Sequence, residues 1–286
     1  MKDKKVKWQV NLPLLLPMLL GLLVWFPIAM VAGGSFMGGA ELGEKLGPVL
    51  QNTPGYAAWN LIPQYPTAAP AVELMLDTPQ FFVMFWNSFR LTVGILLGQL
   101  LVGVPAAWGF SQFQFRGKGF LFLLYVALML MPFQVTMVSN YLVLDQFSLL
   151  NSHWGIILPA VFSTFPVFIM YRFFQGIPRE LLQSAQLDGA NSLQILWYIG
   201  IPLGGGGIMS AMVLSFLEYW NMVEQPLAFL KDQSLWPLSL YLPGIVKEKP
   251  ALAFAASAFT LIPPLLVFLF GQKYLEQGIR SAGMKD

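Results

Sequence analysis

Cysteine is absent from this 286-residue chain, and histidine occurs once, at His153. The absence of cysteine excludes disulfides and thiolate metal sites, and a single histidine at a span edge argues against a His-based metal site and against a Ser-His triad. Charge is scarce too: 10% of the residues are Asp, Glu, Lys or Arg, against about 25% in soluble domains. No Gly-x-x-x-x-Gly-Lys-Ser/Thr sequence occurs, because Gly204–Gly207 run into Ile208 and Met209 instead of a lysine. The chain therefore has no phosphate-binding loop, and any ATP hydrolysis belongs to another polypeptide. No internal repeat of useful strength is present, which disfavours an inverted-repeat secondary transporter. The net charge of +2 is small, and no nucleic-acid partner is expected.

What fills the chain instead is apolar: 56% hydrophobic residues and a mean hydropathy of +0.63. That composition identifies a protein of several membrane spans. At about 20 apolar residues per span, six are expected: Leu12–Phe36, Phe81–Phe110, Phe120–Leu142, Trp154–Phe174, Ile201–Phe229 and Ala251–Tyr274. The second and fifth are long enough to tilt or to extend past the bilayer. Pro132 falls in the middle of the third and is expected to kink it. The first follows Lys2, Lys4, Lys5 and Lys7, as a signal peptide would, but its apolar run is too long for a signal sequence and it is read as a span. Gly204–Gly207 open the fifth span and suit close helix packing or a hinge. Met129, Met131 and Met137 are read as adaptable packing.

An even number of spans puts both termini on one side. That side collects Lys2, Lys4, Lys5, Lys7, Arg116, Lys118, Arg172, Arg179, Lys273, Arg280 and Lys285, against five acids. The remainder of the chain, spans included, has five bases and nine acids. Lys and Arg mark the cytoplasmic face, so both termini are expected in the cytoplasm, with the chain in a bacterial cytoplasmic (inner) membrane. Residues 37–80 then lie outside. They are rich in Gly, Pro and Ala, and are expected to form a short cap with one or two helices, such as Pro70–Leu76, within a single transmembrane domain over 1–286.

One polar island, residues 176–200, interrupts the apolar pattern on the cytoplasmic side. Pro178 suits the first turn of a helix, where its missing N–H costs nothing. Glu180 suits the positive end of the helix dipole. Leu181, Leu182 and Ala185 fall on neighbouring turns, and Gly189 is a stop signal. Asn191 or Ser192 can cap a second short helix, Leu193–Tyr198, before Pro202 opens the next span. Two short helices joined by small residues make a knob suited to a socket on another protein.

The spacing of that island resembles the signature of ABC importer permease subunits: Glu-Ala-Ala, three residues, Gly, nine residues, Ile, one residue, Leu-Pro. Here Gln183-Ser184-Ala185 precede Gly189 by the same gap, and Ile199, Gly200, Ile201 and Pro202 follow at the same distance. Asp188-Gly189-Ala190 is intact, whereas Gln183, Ser184 and Ile201 depart from Glu, Ala and Leu. Further passages are similar in the same order: Asn87-Ser88-Phe89, Ala106-Ala107-Trp108-Gly109-Phe110, Met131-Pro132-Phe133-Gln134, Trp220-Asn221 and the tail from Gln272 to Lys285. The resemblance covers about residues 87–286 and is to the maltose/carbohydrate type, its six-span partner subunit.

That resemblance implies an all-α, polytopic fold, the type I ABC importer permease fold, with six transmembrane helices and a cytoplasmic coupling helix. It implies a homologous second permease subunit, two ABC ATPase subunits, an extracytoplasmic solute-binding protein and the lipid bilayer as partners. No cofactor is expected on this chain; ATP and Mg are used by the ATPase, so the chain itself is no enzyme. Glu180, Gln183, Ser184, Ala185, Asp188, Gly189 and Ala190 are the expected coupling residues. Gln183 can hydrogen-bond but cannot form the ion pair of the family's Glu, so docking is expected to survive, either weaker or with less pH and salt sensitivity, Glu180 partly substituting.

Candidates for the solute path are Glu218, Tyr219, Trp220, Asn221, Gln134 and Asn140. Glu218 lies 16 residues beyond Pro202, about 24 Å along a helix. A membrane carboxylate should face the bundle interior or a wet cavity. It would contact a sugar hydroxyl there, or make an interhelical hydrogen bond, or sit at the interface. Residues 231–250 are either a contact for the binding protein or a solvated loop. Alternatives are an importer of a polyamine, peptide or ion, an intramembrane enzyme, and an ATP-independent channel. The enzyme lacks a paired catalytic constellation, and the channel gives no reason for the knob.

Overall fold

The computed structural model describes residues 12–50, 54–242 and 249–283. Lys2, Lys4, Lys5, Lys7 and Lys285, used above for orientation, lie outside them. Regular structure among the described residues is helical, apart from an isolated bridge between Met37 and Pro66. Chains this apolar satisfy their backbone polar groups in a bilayer by forming helices. Among the described residues, five helices are long and apolar enough to cross a membrane, and the number reaches the six expected when one bent helix pair is counted as a single span. The chain divides into two compact units.

The first unit comprises residues 1–79 and 242–260. Its α1 (Leu12–Gly34) is apolar on every side, and from Leu16 to Ala29 it is exposed apart from the half-buried Gly21, as a helix facing lipid or another chain must be. Gly33 and Gly34 permit close contacts here: a Cβ on the first would meet the Leu61 carbonyl oxygen at 2.3 Å, and one on the second the Phe254 ring at 2.6 Å. The following segment carries α2 (Gly39–Leu50) and α3 (Ala69–Leu76), the latter where a helix was expected. One buried carboxylate organises it. Glu41 pairs with Lys45 at 2.7 Å and accepts the backbone N–H groups of Gln64 at 2.9 Å and Tyr65 at 3.3 Å. The Gln64 N–H first, and then the Lys45 ammonium, hold the Glu41 carboxyl below the usual carboxylate range. No feature of the sequence announced this staple, because its partners are 23 and 24 residues apart in the chain.

The second unit comprises residues 80–241 and 261–286. It holds α4 (Pro79–Gln112), α5 (Lys118–Met129), α6 (Phe133–Gln146), α7 (Trp154–Val161), α8 (Thr164–Gln175), α9 (Arg179–Leu187), α10 (Ser192–Ile195), α11 (Ile201–Trp220), α12 (Glu224–Phe229) and most of α13 (Pro250–Gly283). The third span is broken more sharply than a kink: α5 and α6 meet at 103°. Pro132 has no N–H for the Leu128 carbonyl, which accepts from Met131 instead, at 3.2 Å, in a tight terminal turn. The expected fifth span, Ile201–Phe229, is corrected at both ends. No break precedes Pro202; α10 runs through a π-helical turn, Leu196–Gly200, straight into α11. Pro202 cannot donate to Tyr198, and a wider turn absorbs that missing bond. At the other end α11 stops at Trp220, where the Asn221 amide donates to the Leu217 carbonyl at 2.9 Å, and α12 is a separate helix.

The glycines of α11 serve packing. A Cβ on Gly204 would lie 2.3 Å from the Phe174 ring, and one on Gly207 would lie 2.4 Å from Phe173. The α8–α11 contact that results centres one apolar core on Trp108, Met170, Phe174 and Ile208; a second centres on Leu91, Ile95, Ile157 and Tyr219. Asn87 and Ser88 also acquire a role: they tie down residues 234–238. Asn87 donates to the Ser234 and Trp236 carbonyls at 2.7 and 3.1 Å, and Ser88 accepts from the Leu238 N–H at 2.8 Å. His153 joins them through the Leu235 carbonyl at 3.1 Å.

Candidate functional site

The island at 176–200 folds as one short helix, α9, followed by the opening turns of the continuous α10–α11 run, where a second short helix was expected. Pro178 precedes α9 as its N-cap instead of occupying its first turn, leaving Arg179 and Glu180 to start the helix. The end of α9 is a Schellman motif. The Ala190 N–H reaches back to the Ala185 carbonyl and the Gly189 N–H to the Gln186 carbonyl, both at 3.0 Å. That geometry requires a left-handed residue, and Gly189 sits at φ 86°. Asn191 then caps α10 in a reciprocal box: its side chain accepts from the Gln194 N–H at 2.9 Å, and the Gln194 side chain accepts from the Asn191 N–H at 2.8 Å. Of the two cap candidates, Asn191 is the one used. Gln194, its other half, was not singled out in the sequence, although the Asn-x-x-Gln spacing carried the signal.

This knob is anchored by few residues. Leu182 is the one fully buried side chain of α9; with Ile195 and Leu196 it joins the core around Trp108 and Phe174, with Ala185 and Ala190 against it. Burying a leucine contributes about 1.5–3 kcal/mol. The opposite face is open. Glu180, Gln183, Ser184, Asp188 and Gly189 are exposed, and Leu187 is 89% exposed. Beside it, a cavity of about 230 Å³ is lined by Trp108, Gln112, Arg179, Gln183 and Gln186, among others.

A second cavity, about 690 Å³, opens where α5 and α6 break and where α7 gives way to α8. The Phe162–Ser163 break is marked by Pro166 in the first turn of α8, which leaves the Phe162 carbonyl without its helical donor. Glu218, Tyr219 and Asn140 line this chamber, with Thr136, Ser163 and Gln225. The structure thus brings together three of the six path candidates. Gln134 lines a neighbouring recess of about 330 Å³, where its amide donates to Glu224 at 2.6 Å. Trp220 is 2% exposed and packs between the rings of Phe85 and Phe216, at 5.7 and 5.5 Å. Neither it nor Asn221 lines the chamber.

Gln99 was missed in the sequence. It is 1% exposed, donates to the Ala160 carbonyl at 2.9 Å and approaches the Tyr219 hydroxyl at 3.5 Å. Its side chain ties α4 to the break after α7 and to a chamber residue. A lone glutamine inside an apolar 34-residue helix was the signal available.

Comparisons with known proteins agree with this architecture. The family model described as binding-protein-dependent transport system inner membrane component matches residues 99–281. Curated relatives include the arabinooligosaccharides transport system permease protein AraQ of Halalkalibacterium halodurans, 26% identical over 217 residues, covering 75% of this chain and 78% of the relative. The AraQ of Bacillus subtilis is 28% identical over 208 residues, covering 72% and 74%. The sn-glycerol-3-phosphate transport system permease protein UgpE of Yersinia pestis is 28% identical over 208 residues, covering 71% and 74%. Among solved structures, a chain of a bacterial ABC transporter involved in the import of the acidic polysaccharide alginate superposes with a TM-score of 0.78 at 21% identity, over 92% of this chain and 94% of that one. That likeness shows the fold.

Proposed function

Because the chain belongs to the family of binding-protein-dependent transport system inner membrane components, we propose that it is one of two permease subunits of an ATP-driven carbohydrate importer. Its relatives include two arabinooligosaccharide permeases, and its fold matches that of an alginate importer. The observation that carries the proposal is the knob: α9 and the start of the α10–α11 run, locked together by a Schellman motif and a capping box, presenting Gln183, Ser184, Leu187 and Asp188 outward. Such an element transmits force because its backbone bonds are internally satisfied. An ATPase subunit gripping it would move α9 and α10 as one body, and the continuous run into α11 carries that motion to Glu218 and Tyr219 at the chamber.

On this reading Glu180, Gln183, Ser184, Ala185, Asp188, Gly189 and Ala190 form the coupling surface, and Glu218, Tyr219 and Asn140 face the solute. ATP and Mg belong to the two ATPase subunits. A homologous permease subunit completes the path, and an extracytoplasmic binding protein delivers the solute. Both termini and the knob face the cytoplasm; the bias of Arg116, Lys118, Arg172, Arg179 and Lys273 toward one side supports this orientation.

The absence of cysteine supplies the test. In the assembled complex, a single Leu187→Cys thiol should cross-link to the ATPase subunit, while Leu266→Cys, on an exposed part of α13, should not. No cross-link from Leu187→Cys in the assembled complex, or no ATPase subunit co-purifying with the chain, would overturn the proposal.

A further inference from the structure

We infer that the chamber passes uncharged, polyhydroxylated solutes and turns away anionic ones such as uronates and sugar phosphates. This rests on the carbohydrate reading above and narrows it. Glu218 is the one charged residue lining the chamber of about 690 Å³, and no Lys, Arg or His lines it. The adjoining recess, which shares Phe133 with the chamber, adds Glu224 and again no base. Arg90, within α4, lines neither cavity. The two cavities therefore present two carboxylates and no cation among the described residues.

The remaining polar lining is neutral. Thr136, Asn140, Ser163, Tyr219 and Gln225 offer hydroxyls and amides, which both donate and accept, as sugar hydroxyls do. Phe133, Phe162 and Phe165 supply flat apolar surface for the ring faces. An anion entering this space finds no cation to replace its water shell, and a buried charge without a partner is strongly disfavoured. Glu218 adds direct repulsion. At an effective dielectric constant of about 20, a solute carboxylate about 6 Å from it is disfavoured roughly a hundredfold against a hydroxyl. A hydroxyl in the same place donates to the carboxylate instead.

The test uses the intact complex in proteoliposomes, with ATP inside and its binding protein outside. Probes are neutral gluco-, galacto- and arabino-oligosaccharides, each with a counterpart bearing one uronate. The readout is the ratio of uronate to neutral uptake in the wild type, Glu218→Gln and Glu218→Lys. Since the binding protein is the same throughout, its own preference cancels between variants. The ratio should rise at least about tenfold in Glu218→Gln and further in Glu218→Lys; if the lysine variant does not assemble, the glutamine variant decides. A ratio unchanged across the variants while neutral sugar still enters overturns the inference and leaves the carbohydrate reading standing. Entry of no neutral sugar, in a complex that hydrolyses ATP, sinks both.

Discussion

Replacing Gly189 by valine tests whether backbone geometry at the knob governs coupling. The residue sits at φ 86°, and an added Cβ meets nothing within 4 Å. Side-chain collision within this chain is therefore not at issue; the substitution acts on the backbone alone. An L-residue in the left-handed region is disfavoured by about 1–2 kcal/mol, and β-branching puts valine at the upper end. Losing that amount lowers the population of the intact Schellman turn about 5- to 30-fold relative to its opened form. The core around Trp108 and Phe174 does not include Gly189, so span assembly should persist. Solute-stimulated ATPase activity and uptake in the purified complex should fall, with Gly189→Ala intermediate and Gly189→Asn close to wild type, because asparagine tolerates the left-handed region. Wild-type coupling in Gly189→Val would refute the reasoning. Equal loss in Gly189→Asn and Gly189→Val would refute it differently, since the defect would then track side-chain bulk at the docking surface.

Three other expectations follow from single contacts. Asn191→Ala removes one half of the capping box and should destabilise the knob by about 1 kcal/mol, seen as faster amide exchange over 191–195. Gly204→Val forces a side chain into the Phe174 ring and should destabilise the α8–α11 contact by about 1–3 kcal/mol, read as a lower midpoint in thermal unfolding of the solubilised protein. Glu41 gives a pH dependence: its lowered folded pKa means its contribution is complete above the ordinary value of 4.5 and is lost as pH falls through the folded value. Amide exchange at Gln64 and Tyr65 should therefore accelerate on acidification below that range, and Glu41→Gln should flatten the profile.

The sequence made much of this legible because bilayers impose simple rules. Apolar length announced the spans, and proline marked where helical hydrogen bonding fails, at Pro132 and at the start of α9. The knob was readable because its signals are local: Gly189 and Asn191 act on backbone groups within five residues of themselves. Where a signal was ambiguous, local physics still decided it. Pro202 marks a missing hydrogen bond, and in this chain a π turn accommodates it without ending the helix.

What only the tertiary structure decided are relations between distant residues. Glu218, Tyr219, Trp220 and Asn221 are consecutive, yet a helix turns successive side chains by about 100°, so the first two reach the chamber, Trp220 enters an aromatic cluster and Asn221 caps the helix end. The Glu41 staple, the Gln99 tie and the pairing of Gln134 with Glu224 join residues 23 to 120 positions apart. Hydropathy and turn chemistry act over a few residues, so the sequence by itself determined the spans, the knob and the caps. Which polar groups face one another across the bundle was set by packing, through the close approach that Gly204 and Gly207 allow and the helix breaks at Pro132 and Ser163.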